Sequence, residues 1–155
     1  MKYILLLYTF IFSQQVLLSQ QFYTDEGVTK FDGSKAAFEP IKASNNNTVS
    51  IIDSSDGQIA AVILISEFDF RLGLMQEHFN ENYLESNVYP KSTFEGQIKN
   101  FSLEELNQDF KEHEIEGVLT IKGVNNNIST KAKIRKIDEK IELTSGFSVM
   151  LSDYK

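Results

Sequence analysis

Apolar side chains recur at every second position along most of the chain, and this alternation constrains the fold more than any other feature of the sequence. Successive side chains of a strand point to opposite faces of a sheet, so a period of two gives one buried face and one solvated face. The clearest example alternates with mainly polar residues and comprises Ile115, Gly117, Leu119 and Ile121. The pattern predicts half-buried strands.

Eight segments have this alternation or a comparable apolar run, and clusters of Gly, Asn, Asp and Ser separate many of them. Such clusters favour tight turns, so neighbouring strands should be antiparallel. Many alternating strands joined by short turns are typical of an antiparallel barrel or sandwich. The predicted strands are 27–35, 37–44, 48–53, 58–70, 93–99, 114–122, 128–135 and 141–151. The predicted turns are 45–47, 54–57, 123–127 and 138–140.

One helical stripe interrupts the strands. Apolar residues spaced three or four apart, with polar residues between them, predict a short amphipathic helix over about 72–84. Proline cannot continue a helix and biases the residue before it toward an extended conformation, so the helix should end before Pro90. The stripe consists of Leu72, Met75, Phe79 and Tyr83.

Residues 1–19 have the features of a secretory signal peptide. Lys2 precedes an apolar run, Ile4 to Phe12, and the small residue Ser19 stands near a suitable cleavage point. The run is shorter than the ~20 residues that cross a membrane as a helix, so no stable membrane insertion is expected. The chain contains no cysteine, which excludes disulfides and a lipid-modified cysteine. We therefore predict a secreted or periplasmic protein with one domain, residues 20–155.

The sequence contains few residues from which a catalytic site could be built. His78 and His113 are the only histidines, and the tripeptide around His78 lacks the second histidine of a zinc-binding helix. No nucleophile elbow and no phosphate-binding glycine loop occurs. The formal charge of −7, without a long basic cluster, makes nucleic acid a poor partner. We predict no catalytic residues, no metal, no cofactor and no enzymatic activity, with His113 in an exposed charged loop.

Aromatic residues are the more informative class, because the chain has 12 phenylalanines and no tryptophan. An eight-stranded barrel has an interior just wide enough for its own side chains or for one small ligand. The phenylalanines could therefore line a lumen or simply pack a core, since aromatic side chains dominate ordinary cores as well. The candidates for a lumen are Phe31, Phe38, Phe68, Phe70, Phe79, Phe94 and Phe147.

Several short segments, taken in order and with their spacing, resemble the YceI-like family. They are Phe68-Asp69-Phe70, Leu74 to Phe79, Tyr89 to Gly96, Gly117 to Val124, and Asp153-Tyr154. The resemblance extends from about Gly27 to Tyr154. It implies a lipocalin-like antiparallel β-barrel, secreted by bacteria, whose apolar cavity accepts a polyisoprenoid or similar lipid chain. Members of such a family resemble carriers or binders and not catalysts.

The resemblance also adds helix residues to the candidate cavity lining, namely Met75, His78 and Tyr83. In the family a further strand normally follows the Asp-Tyr position, so the resemblance implies a C-terminally incomplete barrel. Either the sequence is truncated, or closure involves another strand or a second subunit, as in a homodimer. The alternative is an envelope interaction or stress-response module whose barrel is filled by its own side chains. An enzyme acting on envelope lipids ranks last.

Overall fold

The computed structural model describes residues 20–34 and 40–155, and these form one antiparallel sheet with a single helical segment. The strands are β1 (Gln21–Asp32), β2 (Lys42–Asp53), β3 (Gln58–Leu64), β4 (Asp69–Phe70), β5 (Lys91–Ile98), β6 (Lys111–Ile121), β7 (Val124–Ile137) and β8 (Lys140–Ser145). The helical segment joins α1 (Gly73–His78) to a π-turn (Phe79–Tyr83), 11 residues in all. Short 3-10 turns span Ile65–Glu67, Leu103–Glu105 and Leu151–Tyr154.

The strands follow the order β1-β2-β3-β5-β6-β7-β8, with β4 paired to β2, and coil into a nearly closed barrel. The predicted fold, a mainly β antiparallel barrel of about eight strands with one short helix, is confirmed. The β6–β7 hairpin turn is shorter than predicted. Lys122 and Gly123 both have positive φ, 52° and 75°, which suits a two-residue hairpin turn. The asparagines that follow already belong to β7.

The predicted turn at residues 45–47 is wrong, because this segment lies inside the continuous strand β2. The Asn45 side chain is fully buried, donates from Nδ2 to the carbonyl of Leu64 (3.0 Å) and accepts from the backbone N–H of Asn47 (2.8 Å). The pairing with β1 shifts register at the same place. The three asparagines therefore build a bulge, since an asparagine side chain can replace a strand partner for nearby backbone groups.

The single strand predicted over 58–70 is broken in two. β3 pairs with β5 as far as Leu64, and the N–H of Ile65 then donates to the carbonyl of Pro90 (2.9 Å). A 3-10 turn redirects the chain, so that β4 pairs with β2 through Phe70 and Ala43. The buried positions change parity at this break, from Ile59 and Ile65 to Phe68 and Phe70, because the 3-10 turn separates two different elements.

The last predicted strand, 141–151, stops at Ser145. Residues 146–150 are exposed and lie beside β7 without a ladder, held where Thr130 Oγ1 donates to the carbonyl of Gly146 (3.0 Å). Asn126 Nδ2 then donates to the carbonyl of Asp153 (2.9 Å), and Tyr154 is buried. This path brings Tyr154 into the core and leaves the segment before it outside.

The core consists of two apolar clusters inside the barrel. The helix-end cluster comprises Ala43, Ile65, Phe68, Phe70, Phe79, Leu84, Leu119, Ile121 and Tyr154. The far cluster comprises Ile52, Ile59, Ile98, Leu106, Ile115, Ala132 and Ile134. Phe94 packs against both clusters, so it marks the level at which they meet.

Candidate functional site

Four phenylalanines form an aromatic group at the helix end of the barrel, with Phe79 at its centre. The ring centroid of Phe79 lies 5.2 Å from that of Phe31, 5.4 Å from that of Phe68 and 4.9 Å from that of Phe70. The rings are tilted or edge-on, which is the arrangement that the aromatic quadrupole favours. Four of the residues predicted to line the lumen are thus brought together.

Local sequence explains how these rings come to the same place. Phe68 and Phe70 flank the exposed Asp69, so an extended backbone turns both rings inward. Phe79 lies on the buried face of the helical segment. The N–H of Leu84 donates to the carbonyl of Phe79 (2.9 Å), and this π-turn hydrogen bond widens the last turn. The wider turn rotates Leu84 into the core and leaves Tyr83 59% exposed.

The other predicted lining residues lie in different environments. Met75 is half-buried against the helix-end cluster, whereas His78 is exposed at the end of α1. Phe147 is 51% exposed because β8 ends before it, so its position does not support the prediction that it lines the lumen. Tyr83 and Leu72 are exposed too, which corrects the predicted four-residue stripe. Phe38 lies outside the described residues.

Phe94 lies flat along the inner wall of the barrel, over two glycines on neighbouring strands. Gly96 pairs with Gly117, and a Cβ on either glycine would come within 2.7 Å of the Phe94 Cζ atom. The missing Cβ atoms allow the ring to lie against the wall instead of extending toward the barrel axis. The Phe94 ring therefore occupies the place where Cβ atoms of these two residues would otherwise stand.

Small inward side chains line β1, β2 and β3 at this level, which we call the waist. Thr24, Ser50, Ala61 and Phe94 are registered neighbours across four strands, and all four are half-buried although they face inward. The small or polar inward residues of the waist are Thr24, Gly27, Thr29, Ser50, Ala61, Gly96, Gly117 and Thr130, and the larger Phe94, Leu119 and Ile128 stand in register among them. Most of the small residues keep more accessible surface than the buried residues of the two clusters.

The Thr29 hydroxyl at the waist already has a hydrogen-bond partner. Thr29 and Thr48 share a hydrogen bond between their hydroxyls (2.7 Å), and Gly27 lets the Thr48 carbonyl approach within 2.6 Å of the place where a Cβ would stand. Hydroxyls that are already paired present mainly methyl groups to the interior, so the surface facing the axis is weakly polar. An apolar chain could lie against such a surface without leaving these hydroxyls unpaired.

Two open depressions lie on the described surface. One of about 360 Å³ is bordered by Phe31 and by charged residues of the β1–β2–β4 edge, and one of about 230 Å³ lies beside Ile59 and Gly96. Asp32 and Lys42 form an ion pair (3.2 Å) at the first depression. The hydroxyl and the N–H of Ser34, followed by Lys42, lower the pKa of Asp32. Neither depression is an enclosed tunnel.

The outer face of β6 carries two acidic residues that form ion pairs with lysines on either side of the strand. Lys131 contacts Glu112 (2.6 Å) and Lys99 contacts Glu116 (2.6 Å), which lowers the pKa of Glu112 and raises the pKa of both lysines. These groups are solvent-exposed, so they solubilise the wall and contribute little to stability. The basic run at 131–136 is accordingly a solvated strand face, as its alternation with apolar residues predicted.

His113 is not in an exposed loop as predicted, because it lies within β6 on the inner side of the sheet. Its Nδ1 atom is 3.3 Å from the carbonyl of Lys99. Over residues 20–34 and 40–155, no group of three or more His, Cys, Asp or Glu side chains could hold a metal ion. In the same ranges no helix is long and apolar enough to cross a membrane.

Sequence reasoning missed three residues that shape the interior: Tyr154, Leu84 and Asn45. Tyr154 is part of an Asp-Tyr pair already quoted for the family resemblance, and that pair was the available signal. Leu84 enters the core only because of the π-turn, which helical periodicity does not predict. The sequence pattern already placed Gly96 and Gly117 on inward faces, but their pairing depends on the register between β5 and β6.

Residues 19–155 match the family model described as the YceI-like domain. No curated protein matches the sequence. A polyisoprenoid-binding domain from Saccharophagus degradans, implicated in plant cell wall breakdown, superposes with a TM-score of 0.74 at 13% identity, over 88% of this chain and 80% of that one. Burkholderia cenocepacia BcnA superposes with a TM-score of 0.65 at 14% identity, over 82% of this chain and 79% of that one. A Campylobacter jejuni YceI protein superposes with a TM-score of 0.62 at 17% identity, over 84% of this chain and 78% of that one.

Proposed function

The chain belongs to the YceI-like domain family, and on that premise we propose that it binds a polyisoprenoid or similar lipid chain inside the barrel. Binding and carriage are proposed as its whole activity, without a catalytic step. The signal-like residues 1–19 support a place outside the cytoplasm, secreted or periplasmic. A structurally similar domain that binds polyisoprenoid, at 13% identity, supports the class of ligand.

The observation that carries the proposal is the waist, where small inward residues and a flat Phe94 are only half-buried between two apolar clusters. Each methylene removed from water contributes about 0.8 kcal/mol, so a chain of several isoprene units needs few polar contacts to bind. The paired Thr29 and Thr48 hydroxyls make the wall compatible with such a chain. Affinity would then depend on chain length more than on a headgroup.

A second candidate function is an interaction module without a lipid ligand. The close packing of the aromatic group favours it, because Phe68, Phe70 and Phe79 already fill the helix end of the barrel. The two candidate functions differ in what occupies the waist of the exported protein. A lipid would occupy the waist in the first, and solvent or rearranged side chains in the second.

The ligand can be identified from protein recovered outside the cytoplasm. Organic extraction followed by mass spectrometry should release a long-chain lipid in a near-stoichiometric amount. Recovery of the protein in the cytoplasm, or of lipid-free protein that also fails to take up isoprenoid chains, would contradict the proposal.

A matched pair of substitutions tests the waist itself. Ala61 faces inward beside Phe94, whereas its neighbour Ala60 faces outward beside Glu95. Ala61→Phe should fill the waist and weaken binding of a fluorescent geranylgeraniol by about tenfold or more, since one displaced isoprene unit is worth more than 1.4 kcal/mol. Ala60→Phe should leave binding unchanged. Equal affinities for the two variants would show that the lipid does not occupy the waist.

A further inference from the structure

The segment that covers the helix-end cluster is a hydrogen-bonded unit of its own. It runs from Arg71, after β4, to Pro90, before β5, and we call it the lid. Within the described residues, the backbone hydrogen bonds of positions 72–89 all join members of that same stretch. They include bonds from the N–H groups of Met75, Leu84, Ser86 and Tyr89 to the carbonyls of Leu72, Phe79, Asn80 and Glu85, respectively.

Side chains alone therefore attach the middle of the lid to the barrel. Phe79 and Leu84 are buried in the helix-end cluster. Glu85 forms an ion pair with Lys122, whose side chain is only 18% exposed, at the tip of the β6–β7 hairpin. The ring of Tyr89 lies against Gly123 of the same tip, 3.4 Å from where a Cβ would stand. The lid thus has apolar contacts and one charged contact.

The backbone of the lid and of its contact point is not relaxed. The helical segment ends in a π-turn, a geometry that is rare and often found at functional sites. Glu85 and Lys122, the two members of the ion pair, both have positive φ, 49° and 52°, which is unfavourable for residues with a side chain. No side chain caps the start of α1 at Leu72. Segments of this kind open at lower cost than the strands around them.

We propose that residues 71–90 open as a unit about their two ends, and that the Glu85–Lys122 ion pair is the latch that holds them closed. The inference rests on the proposed function, and it states how a lipid chain enters. Phe79 is 5% exposed and contacts three other rings, so an apolar chain cannot reach the Phe79 ring while the lid is closed. Opening withdraws Phe79 and Leu84 together and uncovers the rings that remain on the barrel.

Stopped-flow mixing with geranylgeraniol that carries an NBD fluorophore measures how fast this probe associates with the protein and is released, and so tests the latch. Glu85→Gln removes its charge and keeps its shape, so association and release of the probe should both be about fivefold faster, with the Kd little changed. The charge-swapped variant Glu85→Lys/Lys122→Glu restores the pair and should restore both rates. Glu142→Gln breaks a comparable pair with Arg135, far from the lid, and should leave both rates unchanged.

Hydrogen exchange separates the lid from the ligand. In the absence of a probe, the amides of Leu84, Ser86 and Val88 should exchange together and faster in Glu85→Gln than in the unaltered protein. Unchanged rates in Glu85→Gln, or equal acceleration by Glu142→Gln, would overturn the latch. Failure of the unaltered protein to bind the probe would refute the proposed function and the entry role, whereas uncoordinated exchange of the three amides would refute opening as a unit.

Discussion

Replacement of Phe79 by alanine is the most direct test of how the barrel end is packed. Phe79 is 5% exposed, and its ring contacts the rings of Phe31, Phe68 and Phe70. Removing a buried phenylalanine side chain costs about 3–5 kcal/mol through lost transfer free energy and the cavity left behind. Because the site also loses three aromatic contacts within a barrel that cannot easily collapse, we expect the upper half of that range, about 4 kcal/mol.

Urea unfolding followed by fluorescence and circular dichroism measures this difference. With an m-value of about 2 kcal/mol per molar, a loss of 4 kcal/mol lowers the midpoint by about 2 M. The comparison is Tyr83→Ala, four residues along the same helical segment, which should change the free energy of unfolding by less than about 1 kcal/mol because its side chain is largely exposed.

Two results would refute the reasoning. A loss below about 1 kcal/mol for Phe79→Ala would mean that the ring does not occupy the centre of a packed group. A larger loss for Tyr83→Ala than for Phe79→Ala would mean that the helix continues without the π-turn and turns Tyr83 inward. A changed m-value would have to be excluded first, since it reports a change in the unfolded or native ensemble.

Four further substitutions test the same structure. Gly117→Ala should destabilise the protein by about 2–3 kcal/mol, because the new Cβ would stand 2.4 Å from the backbone carbonyl oxygen of Glu95. Gly73→Ala should stabilise the protein by about 0.5 kcal/mol, because its new Cβ would meet no neighbouring atom within 4 Å. Thermal unfolding of the two variants compares these effects. Asn45→Ala should cost about 1–3 kcal/mol in urea unfolding, because it removes two buried hydrogen bonds of the β2 bulge. The hydrogen bond and charge of Lys131 lower the pKa of Glu112, so this pair contributes stability at neutral pH that is lost as the pH falls through that lowered pKa. Glu112→Gln should therefore be slightly less stable than the unaltered protein at pH 7, with a difference that shrinks as the solution is acidified, and a constant difference would contradict the assignment.

Local patterns in the sequence determined the class of fold. Alternation with mainly polar residues, as in Ile115 to Ile121, favours a half-buried strand because a period of two puts the apolar set on one face. The spacing of Met75 and Phe79 similarly determined a helix that buries one face. These features depend on residues within a few positions of one another, so they can be read without knowledge of the partners.

Tertiary structure alone decided which of the candidates form the interior. Phe147 alternates as regularly as Phe94, yet it is exposed because β8 ends two residues earlier and offers it no partner strand. The face-to-face position of Gly96 and Gly117, which leaves Phe94 flat on the wall, depends on the register between β5 and β6. Burial is a property of what lies opposite a side chain, and residues far apart in the sequence supply those neighbours.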